Sequence, residues 1–304
     1  MSNIELIKKL REEMGGIGMS DCKKALDETN YNYEEAIAWL RKKGIANAAK
    51  KSSRVACEGL VALNVQGTKA TIVEVNSETD FVAQNDAFKK LVLEISAKSM
   101  EMANVEELKN AQISKGTVAE AITLATAGIG EKIDLRRMDK ISVTNGVIAH
   151  YIHNALQDEK TLGKIGVLVA LESTGDKAKL LDFGRKLGMH IASCAPKYLT
   201  TNEVSAEEIA KEKEILVAQA SGTGKPQAVI EKMVEGRMSK FYSEIVLLEQ
   251  AFVMDPSIVI KNLVANFSKE IGAEVKISGF KMMKVGDGIE KQESNFADEV
   301  ASML

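Results

Sequence analysis

The residues best able to carry chemistry in this chain are few. Its three histidines and three cysteines are the first place to look for a metal or a nucleophile. His150 and His153 stand three apart, and His190 with Cys194 could share a helix face. A structural zinc wants four ligands at workable spacing, and no second Cys/His cluster supplies them. Cys22, Cys57 and Cys194 form no CxxC pair, so reduced thiols and ordinary packed residues are the reading here. "SGTGKP" suggests a phosphate loop, but that loop needs a glycine five residues before its Gly-Lys pair and a Ser or Thr after it. Gln219 and Pro226 occupy those positions. "GGIGM" and "GIGEKI" miss the dinucleotide pattern, and neither G-x-S-x-G nor H-E-x-x-H occurs. No enzyme, cofactor or resident metal is therefore expected.

What remains is a polar turn with an aromatic in it. "NSETDFVAQND", residues 76–86, follows the apolar run "ATIVEV" and precedes an amphipathic helix beginning near Ala87. Asp80 suits a helix N-terminus, where a carboxylate accepts free backbone N–H groups. Phe81 has two readings: it folds back onto the sheet as a staple, or it stands out as an anchor for a pocket on a partner.

The elements that must hold this turn are legible as periodicities. Ile4, Ile7 and Leu10 recur at helical spacing before the glycines of "MGGIGM"; Ser20 or Asp21 is placed to cap a second helix, and "EEAIAWLRKKG" reads as a third ended by Gly44. Trp39, Leu26 and Leu10 are its expected core, which about 40 residues leave marginal. Ile17 and Met19 are either a staple into that core or a small binding knob. Residues 44–55 read as a basic linker without the interleaved aromatics that RNA binding favours.

Beyond it the chain repeats itself. "GLVALNV" and "ATIVEVNSETD" with the helix "AFKKLVLEIS" are echoed by "GVIAHYI" and "GVLVALESTGD" with "AKLLDFGRKLGMHIA". The alignment sets Asp80 on Asp176 and Phe81 on Lys177. "EKIDLRRM" and "KISVTN" in the first copy, and "SEIVLL" and "AEVKISGFKMM" in the second, are further strand candidates. Ile209, Leu216 and Ala220 line one inserted helix and Ile230, Val234, Met238 and Phe241 the next, which reads as an antiparallel hairpin in coiled-coil style. It either projects as an interaction arm or packs back on the body.

Fold class is α+β with these boundaries: 1–43 three helices, 44–55 linker, 56–144 first core subdomain, 145–200 with 242–287 second core subdomain, 201–241 helical hairpin, 288–304 C-terminal helical module. A net charge of −3 argues against a dedicated nucleic-acid binder. The longest apolar run, "IGVLVAL", is far short of the ~20 residues a membrane helix needs, and "MSNIELIKKL" lacks a signal peptide's apolar core, so a cytoplasmic protein is expected.

"GMSDCKKAL", "EVNSETDFVAQND", "KIGVLVALE", "EKMVEGRMSKF", "FVMDP" and "VGDGIEKQESNFADEV" together resemble the bacterial elongation factor Ts family, in the family's order, from about Leu6 to Met303. The resemblance implies a ubiquitin-associated-like N-terminal domain, two related core subdomains, a coiled-coil arm and a C-terminal helix over Glu293 to Met303. It implies no active site but guanine-nucleotide exchange on elongation factor Tu, GDP-bound and nucleotide-free, during translation. Thr79, Asp80, Phe81 and Val82 match the tetrapeptide that disturbs the partner's Mg²⁺ site. Gly18, Met19 and His153 match further partner contacts. "YIHN" replaces the family's usual Y-x-H-G, and the loop 154–163 is longer. No stable nucleic-acid or membrane partner is implied, and the arm is a candidate homodimer surface whose use varies among relatives. Outside this class, an adaptor or RNA-associated protein built on the three-helix unit is the alternative.

Overall fold

The computed structural model describes residues 2–14, 16–221 and 226–290. The expected C-terminal helix and the turn of the helical hairpin lie outside those residues. The N-terminal unit comprises α1 (Asn3–Glu13), α2 (Met19–Glu28) and α3 (Tyr33–Lys51). Ser2 opens α1 with a capping box: its hydroxyl accepts Glu5 N–H, and Glu5 takes Ser2 N–H in return. Leu10, Met14, Cys22, Leu26 and Leu40 fill the centre, with Trp39 packed at its margin. Ile17 is buried in this cluster and Met19 is exposed, so the two readings of that loop divide between the two residues.

Two expectations fail here. Gly18, not Ser20 or Asp21, is the N-cap of α2, and no side chain bonds to that end. Nor does α3 stop at Gly44. It runs on to Lys51, so most of the expected linker is helix. The glycine serves a crossing: α6 (Val118–Ile129) passes so close that a Cβ on Gly44 would sit 3.4 Å from that of Ala127. Leu124 of α6 then enters the N-terminal core, which supplements what so small a unit buries alone.

The core holds two sheets. In the first, β1 (Glu58–Gln66), β2 (Lys69–Ser77) and β5 (Ile133–Ser142) pair antiparallel, with β7 (Leu162–Gly163) beside β1. In the second, β6 (Gly146–His153), β8 (Ile165–Glu172) and β11 (Lys276–Lys284) do the same. The orders, β5-β2-β1-β7 and β11-β8-β6, share one topology, which is the duplication in three dimensions. Matching glycines mark its register. A Cβ on Gly59 would meet Val75 O at 2.2 Å and one on Gly146 would meet Leu171 O at 1.9 Å, so each copy admits only glycine where β1 and β6 begin. Val75 and Leu171 are the residues that the sequence alignment pairs.

Helices α4 (Asp86–Ser99) and α6 cover the outer face of the first sheet; α5 (Val105–Asn110) and the short pair β3 (Gln112–Ile113) and β4 (Gly116–Thr117) connect them. Helix α7 (Lys177–Cys194) covers the second, and Phe183 stacks on Phe267 of α10 (Ile260–Ile271) at 4.0 Å. Strand alternation explains the layering. Leu60, Ala62, Val73 and Val75 face the helices, whereas Val61, Leu63, Ala70 and Ile72 meet Ile148, Leu168 and Ala170 between the sheets. Buried on both faces, such strands read as near-continuous apolar runs.

"EKIDLRRM" and "KISVTN" fuse into the single strand β5, whose register shifts at Glu74/Val75. "SEIVLL" is not a strand. Helix α9 (Gln227–Ile245) continues into it, and Leu247 N–H then bonds Tyr198 O at 2.8 Å as the chain turns toward β9 (Ala251–Phe252) and β10 (Asp255–Val259). Helix α8 (Ala206–Ser221) pairs with α9 through Leu216, Ala220, Ile230, Val234 and Met238, a cluster separate from the sheet cores. Among the described residues no helix is long and apolar enough to cross a membrane.

His190 and Cys194 do share a face of α7, with Cys194 Sγ 3.7 Å from His190 Nδ1, but the shorter bonds of the imidazole go to other elements. Its Nδ1 accepts Val253 N–H at 3.1 Å, which leaves Nε2 to donate to Gln250 Oε1 at 2.9 Å. Burial lowers its pKa below the ordinary 6.5, against a smaller opposing pull from Gln250. The unfolded chain therefore binds the proton first, and this contribution to stability is present above about pH 6.5 and lost as pH falls through the folded value. Thermal melts between pH 7.5 and 5 should show a steeper fall in Tm for the wild type than for His190→Gln, whose Tm at pH 7.5 is already lower. Parallel curves would contradict a neutral role for this histidine.

Candidate functional site

The turn after β2 is built to hold its backbone still while presenting one ring. Ser77 ends the strand and donates its hydroxyl to Thr79 O at 2.9 Å. Thr79 is then gripped by the carboxylate of Glu131, which accepts its N–H at 2.8 Å and its hydroxyl at 2.7 Å. Residues Asp80–Gln84 form one short 3₁₀ turn. Val82 and Ala83 drop from it into the core with Leu60, Phe88 and Val92. Between these two attachments stands Phe81, 83% exposed.

Exposure of a phenylalanine to that degree excludes the staple. Transfer of a whole phenyl side chain from water is worth about 2–3 kcal/mol, a gain this fold leaves uncollected although Val82, the next residue, is buried. Asp80 is exposed beside it and, among the described residues, accepts no side-chain hydrogen bond. Its expected capping role falls to Asn85. Asp80 opens the 3₁₀ turn, whose remaining residues separate it from α4, and Asn85 Oδ1 accepts Ala87 N–H at 2.9 Å and Phe88 N–H at 3.2 Å. In the second copy there is no such turn, and Asp176 itself caps α7 through Lys179 N–H at 2.9 Å.

Asn85→Ala should accordingly cost about 1 kcal/mol of stability, and Asp80→Ala nothing measurable. Urea unfolding of both variants separates them. A larger loss in Asp80→Ala would return the cap to Asp80.

The other expected contacts lie apart from this turn. Gly18 sits at the head of α2 with open space around its Cα, and Met19 beside it is 48% exposed. His153 ends β6 on the surface, its Nδ1 3.0 Å from Tyr151 Oη. The long loop after it folds back toward α4: Leu156 packs against the first core, and Asp158 lies 3.4 Å from Lys89. Among the described residues no hydrogen bond or ion pair joins Gly18, Met19 or His153 to residues 79–82.

Glu131 and its neighbours were not singled out by sequence. "GIGEKI" reads as a failed dinucleotide pattern and "EKIDLRRM" as a strand, and neither points to a carboxylate that holds a distant turn. The signal that could have found Glu131 is positional: an acidic residue directly after the helix-ending Gly130, whose φ is +91°.

The chain is similar to known proteins over nearly its whole length. The family model described as "Elongation factor TS" matches residues 78–287. Elongation factor Ts of Bartonella bacilliformis is 50% identical over 299 residues, covering 97% of this chain and 96% of its own. Those of Brucella ovis and Brucella abortus are 50% identical over 298 residues, covering 98% of this chain and 97% of theirs.

Proposed function

The chain belongs to the elongation factor Ts family and is a translation elongation factor, and from that premise we propose that it is the guanine-nucleotide exchange factor of elongation factor Tu. The observation that carries the mechanism is the exposed Phe81 on a turn anchored at both ends. Phe81 enters an apolar slot between helices of the partner's nucleotide domain. The partner's GDP is held through its phosphates and a Mg²⁺ whose near-octahedral shell tolerates little displacement. Moving the segment that carries the metal ligands weakens that hold, with no need for Phe81 to touch the nucleotide. Thr79 keeps the turn in shape, Asp80 is free to compete for hydrogen bonds near the slot, and Val82 seats the turn. Gly18, Met19 and His153 are secondary contacts.

In this reading residues 1–43 are a ubiquitin-associated-like domain, 56–144 and 145–200 with 242–287 the two core subdomains, and 201–241 a coiled-coil arm available for homodimer contact. Residues 288–304, most of them outside the described residues, contact the same partner in this reading. The protein works in the cytoplasm, without cofactor or active site of its own. An RNA-associated role gains nothing: Lys51 and Arg54, two cations of the basic stretch, are engaged by Gly130 O and Glu78.

Linkage governs the energetics: whatever factor this protein removes from GDP affinity, GDP removes from its own. A thousandfold weakening requires about 4 kcal/mol of differential contact with the nucleotide-free state. Titration of elongation factor Tu, emptied or GDP-loaded, tests this. Tighter binding to the empty form is expected, by the same factor that the chain takes from GDP affinity. Equal affinities would refute exchange by this route.

A further inference from the structure

The turn that carries Phe81 is clasped to a second loop, and the clasp is reciprocal. Glu131, just past α6, accepts two bonds from Thr79. Glu78, on the first loop, accepts Lys132 N–H in return. Each loop thus gives a backbone N–H to the other's carboxylate across more than 50 residues of sequence. Bonds to an ionised acceptor are the stronger kind. A third segment joins from the end of α3. Arg54 Nη1 lies 3.2 Å from Glu78, Lys132 Nζ donates to Arg54 O at 2.8 Å, and Lys51 Nζ donates to Gly130 O.

The duplication shows that this clasp is not required by the fold. In the second copy Thr174, Gly175 and Lys177 replace Glu78, Thr79 and Phe81, while the intervening aspartate is kept as Asp176. Gly175 has no hydroxyl to offer, and its N–H bonds locally to Ser173 Oγ at 3.1 Å. The second copy therefore passes from strand to helix without a clasp, and without the 3₁₀ turn that carries Phe81. The clasp residues and the displayed ring occur together in one copy and are absent together from the other.

We propose that Glu131 is a positioning residue for nucleotide exchange: by clamping Thr79 it holds Phe81 in the pose that enters the partner. This rests on the exchange function proposed above. Without the clamp, residues 78–81 sample other conformations, and their ordering must be met when the partner binds. Fixing one residue's backbone accounts for roughly a tenfold factor.

GDP release from elongation factor Tu, measured with Glu131→Ala, Glu131→Gln and Phe81→Ala singly and with each Glu131 variant combined with Phe81→Ala, tests it. Glu131→Ala should slow release about tenfold. Glu131→Gln should recover most of this, because its amide oxygen accepts Thr79 N–H and its amide nitrogen can donate to Thr79 Oγ. On the Phe81→Ala background neither change should have further effect, since no ring is left to position. Amide hydrogen exchange at Thr79 should accelerate in Glu131→Ala and stay near wild type in Glu131→Gln. Thr79→Val, which keeps the N–H and loses the hydroxyl, should fall between them in release rate. An unchanged rate in Glu131→Ala, or the same loss on both backgrounds, would overturn the positioning role. If Phe81→Ala itself leaves release unchanged, the wedge reading fails and this inference with it. A normal Phe81 effect beside a silent Glu131 condemns the clasp alone.

Discussion

Phe81→Ala should slow the GDP release this protein stimulates by at least tenfold while leaving its Tm within about 1 °C of wild type. The two halves of that expectation come from the same observation. With 83% of its surface exposed, Phe81 supplies almost nothing to the fold, so its removal opens no cavity and strands no polar group. The cost of truncation appears only when a partner buries the ring, where aromatic anchors in desolvated pockets reach 2 kcal/mol or more. The adjacent Val82, only 4% exposed, gives the internal control. Val82→Ala removes buried methyl groups from the cluster around Phe88 and should destabilise the protein by about 1–3 kcal/mol. A Phe81→Ala variant that instead melts many degrees lower would place the ring in the core rather than in a partner.

The largest effect on stability should come from Glu74→Ala. Glu74 is fully buried on the face of β2 that meets the second sheet, two residues on from Ile72. Its carboxylate accepts Arg136 Nη1 at 3.1 Å, Arg137 Nε, Asn76 Nδ2 at 3.0 Å and Gly286 N–H at 2.8 Å. The same arginines reach beyond it, Arg136 to Asp287 O at 2.6 Å and Arg137 to Lys284 O at 2.9 Å. One side chain therefore ties β2, β5 and the segment leaving β11, which come from both subdomains. Its removal leaves two guanidinium groups part-buried without their counter-charge. Breaking such a pair from one side costs about 3–5 kcal/mol. Tm should fall on the order of 10 °C, measured by calorimetry. A fall no larger than that of an exposed ion pair, such as Arg54→Ala at Glu78, would mean that water or rearrangement replaces the carboxylate.

The contrast between these two residues shows what a single sequence could display. Phe81 was visible because the repeat supplied a comparison: the second copy puts Lys177 where the first has an aromatic, and an apolar ring in a polar turn needs a reason. Its direction was not visible, since staple and anchor present the same letters. Asp80 is ambiguous in the sequence for a related reason. An aspartate four residues into a turn resembles a cap, and the 3₁₀ turn that hands this job to Asn85 leaves no periodic trace. Gly44 reads as a stop because glycine commonly ends helices, whereas here it admits Ala127 of a helix far along the chain. Glu74 and Glu131 were lost among 43 acidic residues, because their partners are set by tertiary contacts over 52 to 212 residues. Strand alternation, helical stripes and the duplicated topology were legible, since each follows from a local period that burial enforces.

Acceleration of GDP loss from elongation factor Tu by this chain is measured directly by the release of labelled nucleotide. Elongation factor Tu loaded with fluorescent GDP is mixed in a stopped-flow instrument with excess unlabelled GDP, with and without this protein. The expected result is a release rate that rises with the concentration of the added chain, by several orders of magnitude at saturation. A rate that stays at the spontaneous value at every concentration, for a protein shown to be folded, would contradict the account.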